Sequence, residues 1–249
     1  KLSLAATFFN ETVTFTLGFS HEIHPQRQCP AGNIRCCIIY TDALHLKQPS
    51  ANELTLMQAD IVLFDDFETL DVFGPAEIFG RSPHYTLNYC SLSGGVITSS
   101  QGAQIITTVF EPEKTALMLV PGGQGTRRLV SDEGMLAALR TAAQHAQWCL
   151  SVCTGSALLA AAGVLDGRQA TSNKRAWQWV TSLSAQVNWV KKARWCADGR
   201  FYTSSGVSAG TDMALAFIAD RHGETAAEEI AQHIEYRWHN DAGDDPFAV

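Results

Sequence analysis

The sequence predicts an α/β protein, a three-layer sandwich in which helices cover both faces of a mostly parallel central sheet. Three observations carry this prediction. Short apolar runs such as 59–64 (ADIVLF) and 116–120 (ALMLV) have the length and the continuous hydrophobicity of strands buried on both faces. Segments of helical periodicity alternate with them from residue 58 onward, the pattern of a parallel layer fold. Two runs end in glycine-bearing turns, Pro121-Gly122-Gly123 and Cys153-Thr154-Gly155. In such sheets the chemistry sits at the carboxyl ends of the strands.

The elements follow in order. The strand 59–64 is succeeded by acids and by an apolar-periodic helix over 69–79. A strand over 85–92, a turn at Gly94-Gly95 and two threonine-rich strands lead to Val109. The run 116–120 is the next strand. A helix over 132–145 carries Leu136, Leu139, Ala142 and Ala143 on one face. A strand over 148–152 enters an apolar helix over 154–162. A helix is expected over 174–181, then strands over 193–196 and 201–204 joined by an Asp198-Gly199 turn. Two helices, 209–221 and 226–238, close the chain on either side of Gly223.

Composition bounds the function classes. Of 249 residues, 46% are hydrophobic and 17% charged, the reverse of a disordered chain. The formal charge of −7, with no basic run longer than Lys191-Lys192, lacks the footprint of a nucleic-acid binder. No apolar stretch reaches the 18–20 residues of a membrane-spanning helix. The seven cysteines are odd in number and form no C-x-x-C pair, so a reducing, cytoplasmic compartment is expected.

Residues 1–57 read as a separate extension of unknown role. Their charges balance, Lys1, Arg27, Arg35 and Lys47 against Glu11, Glu22, Asp42 and Glu53. Val13, Phe15 and Leu17 alternate with threonines as in a strand, and 36–40 is a second candidate. The first fifteen residues are interrupted by Asn10 and Glu11 and make a poor secretory signal. His21, Glu22, His24 and Cys29 match no structural zinc spacing, so no metal site is assigned. The domain proper is 58–249.

Cys153 stands where a strand stops and a helix begins. A residue there occupies a sharp turn at a helix N-terminus, whose free N–H groups and dipole are expected to favour a thiolate. Gly155 would let the helix approach the strand closely, as in the G-x-S-x-G elbow of serine hydrolases. Cys90, Cys149 and Cys196 lie within strand patterns and read as buried structural thiols. Gly122 and Gly123 are either a simple turn or backbone donors to a developing negative charge beside Cys153.

The blocks IVLF with Asp65, LDVFGPAEIF, VPGGQGTR and SVCTGSALLAAAGVLDGRQAT resemble the ThiJ/PfpI superfamily over residues 58–249. The later blocks GVSAGTDMALAF and EYRWHNDAGDDPF extend the likeness to the C-terminus. The resemblance implies a flavodoxin-like fold similar to class I glutamine amidotransferases, and a homodimer. Within it, Cys-Thr-Gly-Ser followed by LLAAAG resembles the isonitrile hydratase branch. It implies Cys153 as nucleophile, Thr154 as its helper and Asp71 as an acidic partner, with Glu68 the nearest competitor.

Departures from the wider family narrow the chemistry. Protease-like members carry a histidine after the nucleophile, where this chain has Thr154. Several members carry another where it has Ser172-Asn173-Lys174. His233-Ile234-Glu235 copies the H-x-E of amidotransferase triads, but residues two apart on a helix face different ways. Peptidase and glutaminase activities are therefore disfavoured. A Cys–Asp pair suits an electrophile that is protonated as it is attacked: Cys153 thiolate adding to an isonitrile carbon while Asp71, as the acid, protonates it. No cofactor is called for, and the partner is a small-molecule substrate. The alternatives are an enzyme acting on a reactive aldehyde such as a glyoxal, and a non-enzymatic cysteine sensor. Only a short tail follows Trp238, so direct transcriptional control is not expected.

Overall fold

The computed structural model describes residues 2–8, 11–17 and 56–248. They belong to two units, 1–51 and 52–249. In the first unit, β1 (Leu2–Phe8) and β2 (Glu11–Leu17) pair antiparallel, with Leu2 opposite Leu17 and Phe8 opposite Glu11. The alternation around Val13 and Phe15 is thus a strand. The candidate strand 36–40 and the His21–Cys29 group lie outside the described residues.

The second unit begins with β3 (Met57–Val62), α1 (Thr69–Arg81), β4 (Tyr85–Ser91), β5 (Gly95–Thr98), β6 (Gln104–Val109) and β7 (Leu117–Val120). Then come α2 (Thr126–Leu129), α3 (Glu133–His145), β8 (Trp148–Ser151), α4 (Gly155–Ala161), β9 (Gln169–Ala170) and α5 (Trp177–Ser182). It ends with β10 (Asn188–Trp189), β11 (Trp195–Asp198), β12 (Phe201–Ser204), α6 (Ala209–His222) and α7 (Glu224–His233). An eight-stranded sheet in the order β11-β12-β8-β7-β3-β4-β6-β5 forms the centre. Neighbours from β12 to β6 run parallel, and only the edge strands β11 and β5 pair antiparallel. Helices α1, α6 and α7 pack together, as do α2, α3, α4 and α5. The layer architecture is the expected one.

Burial explains the continuous apolar runs. All four residues of β7 are inaccessible, as are Ile61 and Val62 of β3, because both strands lie mid-sheet. Helix α3 starts where Asp132 accepts a hydrogen bond from Met135 N at 2.9 Å. It buries Leu136, Leu139, Ala142 and Ala143, the face its spacing predicts.

Two expected helices differ. The one expected over 174–181 begins only at Trp177, because the Asn173 side chain turns back to accept from Ala176 N and Lys174 bonds Thr171 and Ala193. The last helix ends at His233 instead of running to Trp238, and Glu235 has φ 53°. Here tertiary anchors override periodicity: Tyr236 Oη donates to Asp212 Oδ1 and Trp238 Nε1 to the Asp212 carbonyl. Asp212 is also gripped by buried Arg194 from Nε at 2.8 Å.

Candidate active site

The site forms where β3, β7 and β8 end. Cys153 links β8 to α4 in the left-handed region, φ 56°, a conformation that costs a non-glycine residue about 1–3 kcal/mol. Its surroundings hold it there. The Cys153 N–H donates to the carbonyls of Ser204 and Ser205 at the end of β12. Its carbonyl accepts from Ser156 Oγ at 3.0 Å and Ser172 Oγ at 2.9 Å. At Gly155 a Cβ would collide with the carbonyl oxygens of Val120 and Pro121, so only glycine lets α4 start against the end of β7.

Asp71 arrives from the first turn of α1 and is fully buried. Its Oδ2 accepts from Gly122 N at 2.8 Å, while Oδ1 is buried without a hydrogen-bond partner of ordinary geometry. Burial pushes its pKa from 3.8 up to about 8; the Gly122 bond works against this, Glu68 adds to it, and the adjacent Cys153 thiol lowers it. At neutral pH Asp71 is therefore an acid. Glu68 stands at the N-cap position of α1 without a side-chain capping bond, partly exposed, and is not the buried partner.

The Cys153 thiol corrects the sequence-based expectation. Helix position was expected to favour the thiolate, but the side chain is only 6% exposed. Burial and then the Asp71 charge push its pKa well above the ordinary thiol value. The Thr154 N–H and the Asn173 side chain pull the other way by hydrogen bonding to the sulfur. Desolvation outweighs a short helix's partial charge. Thiol and carboxyl are thus both protonated at neutral pH.

Gly122 and Gly123 do not present free donors for an oxyanion. The Gly122 N–H is bound to Asp71, and the Gly123 N–H donates to Thr154 Oγ1 at 3.0 Å. Thr126 Oγ1 donates to the same threonine hydroxyl at 3.1 Å. The Thr154 side chain therefore braces the turn, and its backbone N–H faces the thiol. Both glycines are sterically required. A Cβ on Gly122 would sit 2.8 Å from Asp71 Oδ2, and Gly123 has φ 130°.

Asn173 is the residue that sequence reasoning passed over. It stands in the segment where several family members carry histidine, and an amide at that place was the available signal. The three other described cysteines are buried free thiols within strands, with Cys149 and Cys196 pushed up to about 11 by burial. His233 is remote from the site. It lies against Arg81 at the far end of α1, ten residues and about 15 Å of helix from Asp71.

A cavity of about 370 Å³ opens over Cys153, walled by Glu68, Arg127, Asn173, Arg175, Ala176 and Val207 among others. Among the described residues no histidine lines it. Nor does any group of three or more histidine, cysteine or acidic side chains among them have the arrangement to hold a metal ion.

The model of the DJ-1/PfpI family matches residues 57–220. An isonitrile hydratase of Pseudomonas putida is 33% identical over 182 residues, 72% of this chain and 78% of that protein. A deglycase of Pyrococcus abyssi is 28% identical over 152 residues, 59% of this chain and 89% of the other. Among solved structures, a ThiJ/PfpI family protein from Pseudomonas syringae superposes with a TM-score of 0.68 at 28% identity, covering 77% of each chain.

Proposed function

The chain belongs to the DJ-1/PfpI family, and from that premise we propose that it is a cysteine-dependent hydratase converting isonitriles to N-substituted formamides. One observation carries the reading. A carboxyl held in its acid form near neutral pH is buried against the thiol that lines the cavity, with no histidine among the described residues of the wall. That pairing suits a substrate whose carbon takes up a proton as sulfur attacks it.

Asp71 donates its proton to the lone pair of the terminal isonitrile carbon, which becomes electrophilic. The Cys153 sulfur bonds to that carbon, and the thiol proton passes to the carboxylate left on Asp71. The product is a thioimidate. Water adds to its carbon, the nitrogen takes a proton, and the C–S bond breaks with a proton returning to sulfur. One water is consumed per isonitrile and a formamide leaves. The Thr154 N–H and Asn173 stabilise charge on sulfur as the bond forms and breaks. Gly122 orients Asp71 by donating to Oδ2, beside the Cys153 thiol.

The same family relationship supports a homodimer acting on a small molecule, and the odd cysteine count without a C-x-x-C pair supports a reducing compartment such as the cytoplasm. Residues 1–57, whose charges balance, are expected to be dispensable for the reaction, so a chain beginning near Gln58 should keep its turnover. The test is turnover of an aryl isonitrile to its formamide by wild type, Cys153→Ala and Asp71→Asn. Loss of the general acid is worth about 10²–10⁴ in rate. Wild-type activity should also fall as pH rises through about 8, where Asp71 loses its proton. Full activity in Asp71→Asn, or turnover of methylglyoxal but not of the isonitrile, would overturn the assignment.

A further inference from the structure

The wall of the cavity names a feature of the substrate. Pockets for neutral organic ligands are lined mainly by apolar side chains, yet apart from glycine only Ala176 and Val207 are apolar here. Two exposed arginines, Arg127 and Arg175, line the cavity together with Cys153. Arg127 is stacked on the Trp179 ring, 3.5 Å from guanidinium carbon to ring centroid. Stacking uses the face of the guanidinium and leaves its in-plane N–H groups free for a bidentate acceptor. Arg175 makes no hydrogen bond or ion pair among the described residues. The arginines that do form ion pairs there are others: Arg81, Arg128, Arg140, Arg168 and Arg194. The acid on the wall, Glu68, is in no ion pair with either guanidinium. In a chain of net charge −7, two arginines without an ion-pair partner among the described residues therefore line the cavity over the reacting thiol.

Resting on the hydratase reading above, we propose that the substrate is an isonitrile that also bears a carboxylate, held by Arg127 and Arg175 while its terminal carbon meets Cys153 and Asp71. The cavity, at about 370 Å³, is near the small end for ligand sites, so the two groups lie on a compact molecule. The arginines act on binding and orientation, and the proton and sulfur chemistry stays with Asp71 and Cys153.

Two paired measurements test this. The first compares kcat/KM for isocyanoacetate and for its neutral ethyl ester. The second compares alkylation of Cys153 by iodoacetate and by iodoacetamide, read by peptide mass spectrometry, and needs no hydratase activity. The anionic member of each pair should be preferred at low salt, with the preference shrinking as salt rises. Arg127→Gln and Arg175→Gln should each reduce both preference ratios by about two- to fivefold, the scale of one lost ion contact between exposed groups. Equal alkylation by the two reagents, unchanged in both variants, overturns the anion site whatever the hydration assay gives. A preference for iodoacetate without hydration of either isonitrile overturns the hydratase reading and the isonitrile half of this proposal with it, and keeps only the anion site.

Discussion

Replacing Asp71 by asparagine should remove a large pH dependence from the stability of the fold. The carboxyl titrates at about 8 in the native protein against 3.8 for the ordinary group, chiefly because burial disfavours its charged form. The native state therefore binds one more proton than the unfolded chain between those values. Stability contributed by the neutral carboxyl is complete below about pH 4 and is lost as pH rises toward 8. Each pH unit in that window costs about 1.4 kcal/mol, so between pH 5 and pH 8 wild type should lose on the order of 4 kcal/mol through this one group. Asparagine keeps the size and the oxygen that accepts from Gly122 N, and it has no proton to lose. Urea unfolding of both proteins at pH 5, 6, 7 and 8, extrapolated linearly to water, isolates the difference. Every other titrating group is shared, and the Cys153 thiol ionises above this window. The asparagine variant should gain relative to wild type steadily across the series. Parallel curves would mean that Asp71 is ionised and solvated in the native state, and would remove the acid from the mechanism as well.

Two further outcomes test the surroundings of the thiol. Asn173→Leu removes an amide that favours the ionised sulfur, so the pH profile of Cys153 alkylation should move to higher pH. The rate at pH 8 should fall roughly tenfold for each pH unit the profile moves; an unmoved profile would make Asn173 a loop residue only. Gly155→Ala forces a methyl onto the carbonyl oxygens of Val120 and Pro121, so β7 and α4 must separate. Calorimetry should show destabilisation of about 1–3 kcal/mol, with melting lowered by about 2–4 °C per kcal/mol; an unchanged midpoint would refute the close approach.

Local pattern was enough for the scaffold. The runs around Ile61 and Leu119 read as interior strands because nothing polar interrupts them, and both are inaccessible at the middle of the sheet. The junction at Cys153 was legible for the same reason, since a strand pattern changes to a helical one within three residues. The helix carrying Asp71 was legible as well, but the burial of its carboxyl was not. Asp71 meets Gly122 across 51 positions of sequence. Arg194 and Asp212, 18 apart, meet in the interior and draw in Tyr236 and Trp238, which ends α7 early. No periodicity encodes such a contact.

The sequence by itself determined the order of strands and helices, the turn that presents Cys153, and the absence of a histidine next to it in the chain. Those depend on neighbours within a few residues, where backbone sterics and hydrophobic period act. Only the tertiary structure decided the protonation of the site. Position at a helix start argues for a thiolate, yet the fold removes water from Cys153 and Asp71 together, and desolvation disfavours charge on both. It also directed the N–H groups of Gly122 and Gly123 onto Asp71 and Thr154 instead of onto open space. Desolvation and donor direction are properties of everything packed around an atom, and most of that packing comes from segments far away in the chain.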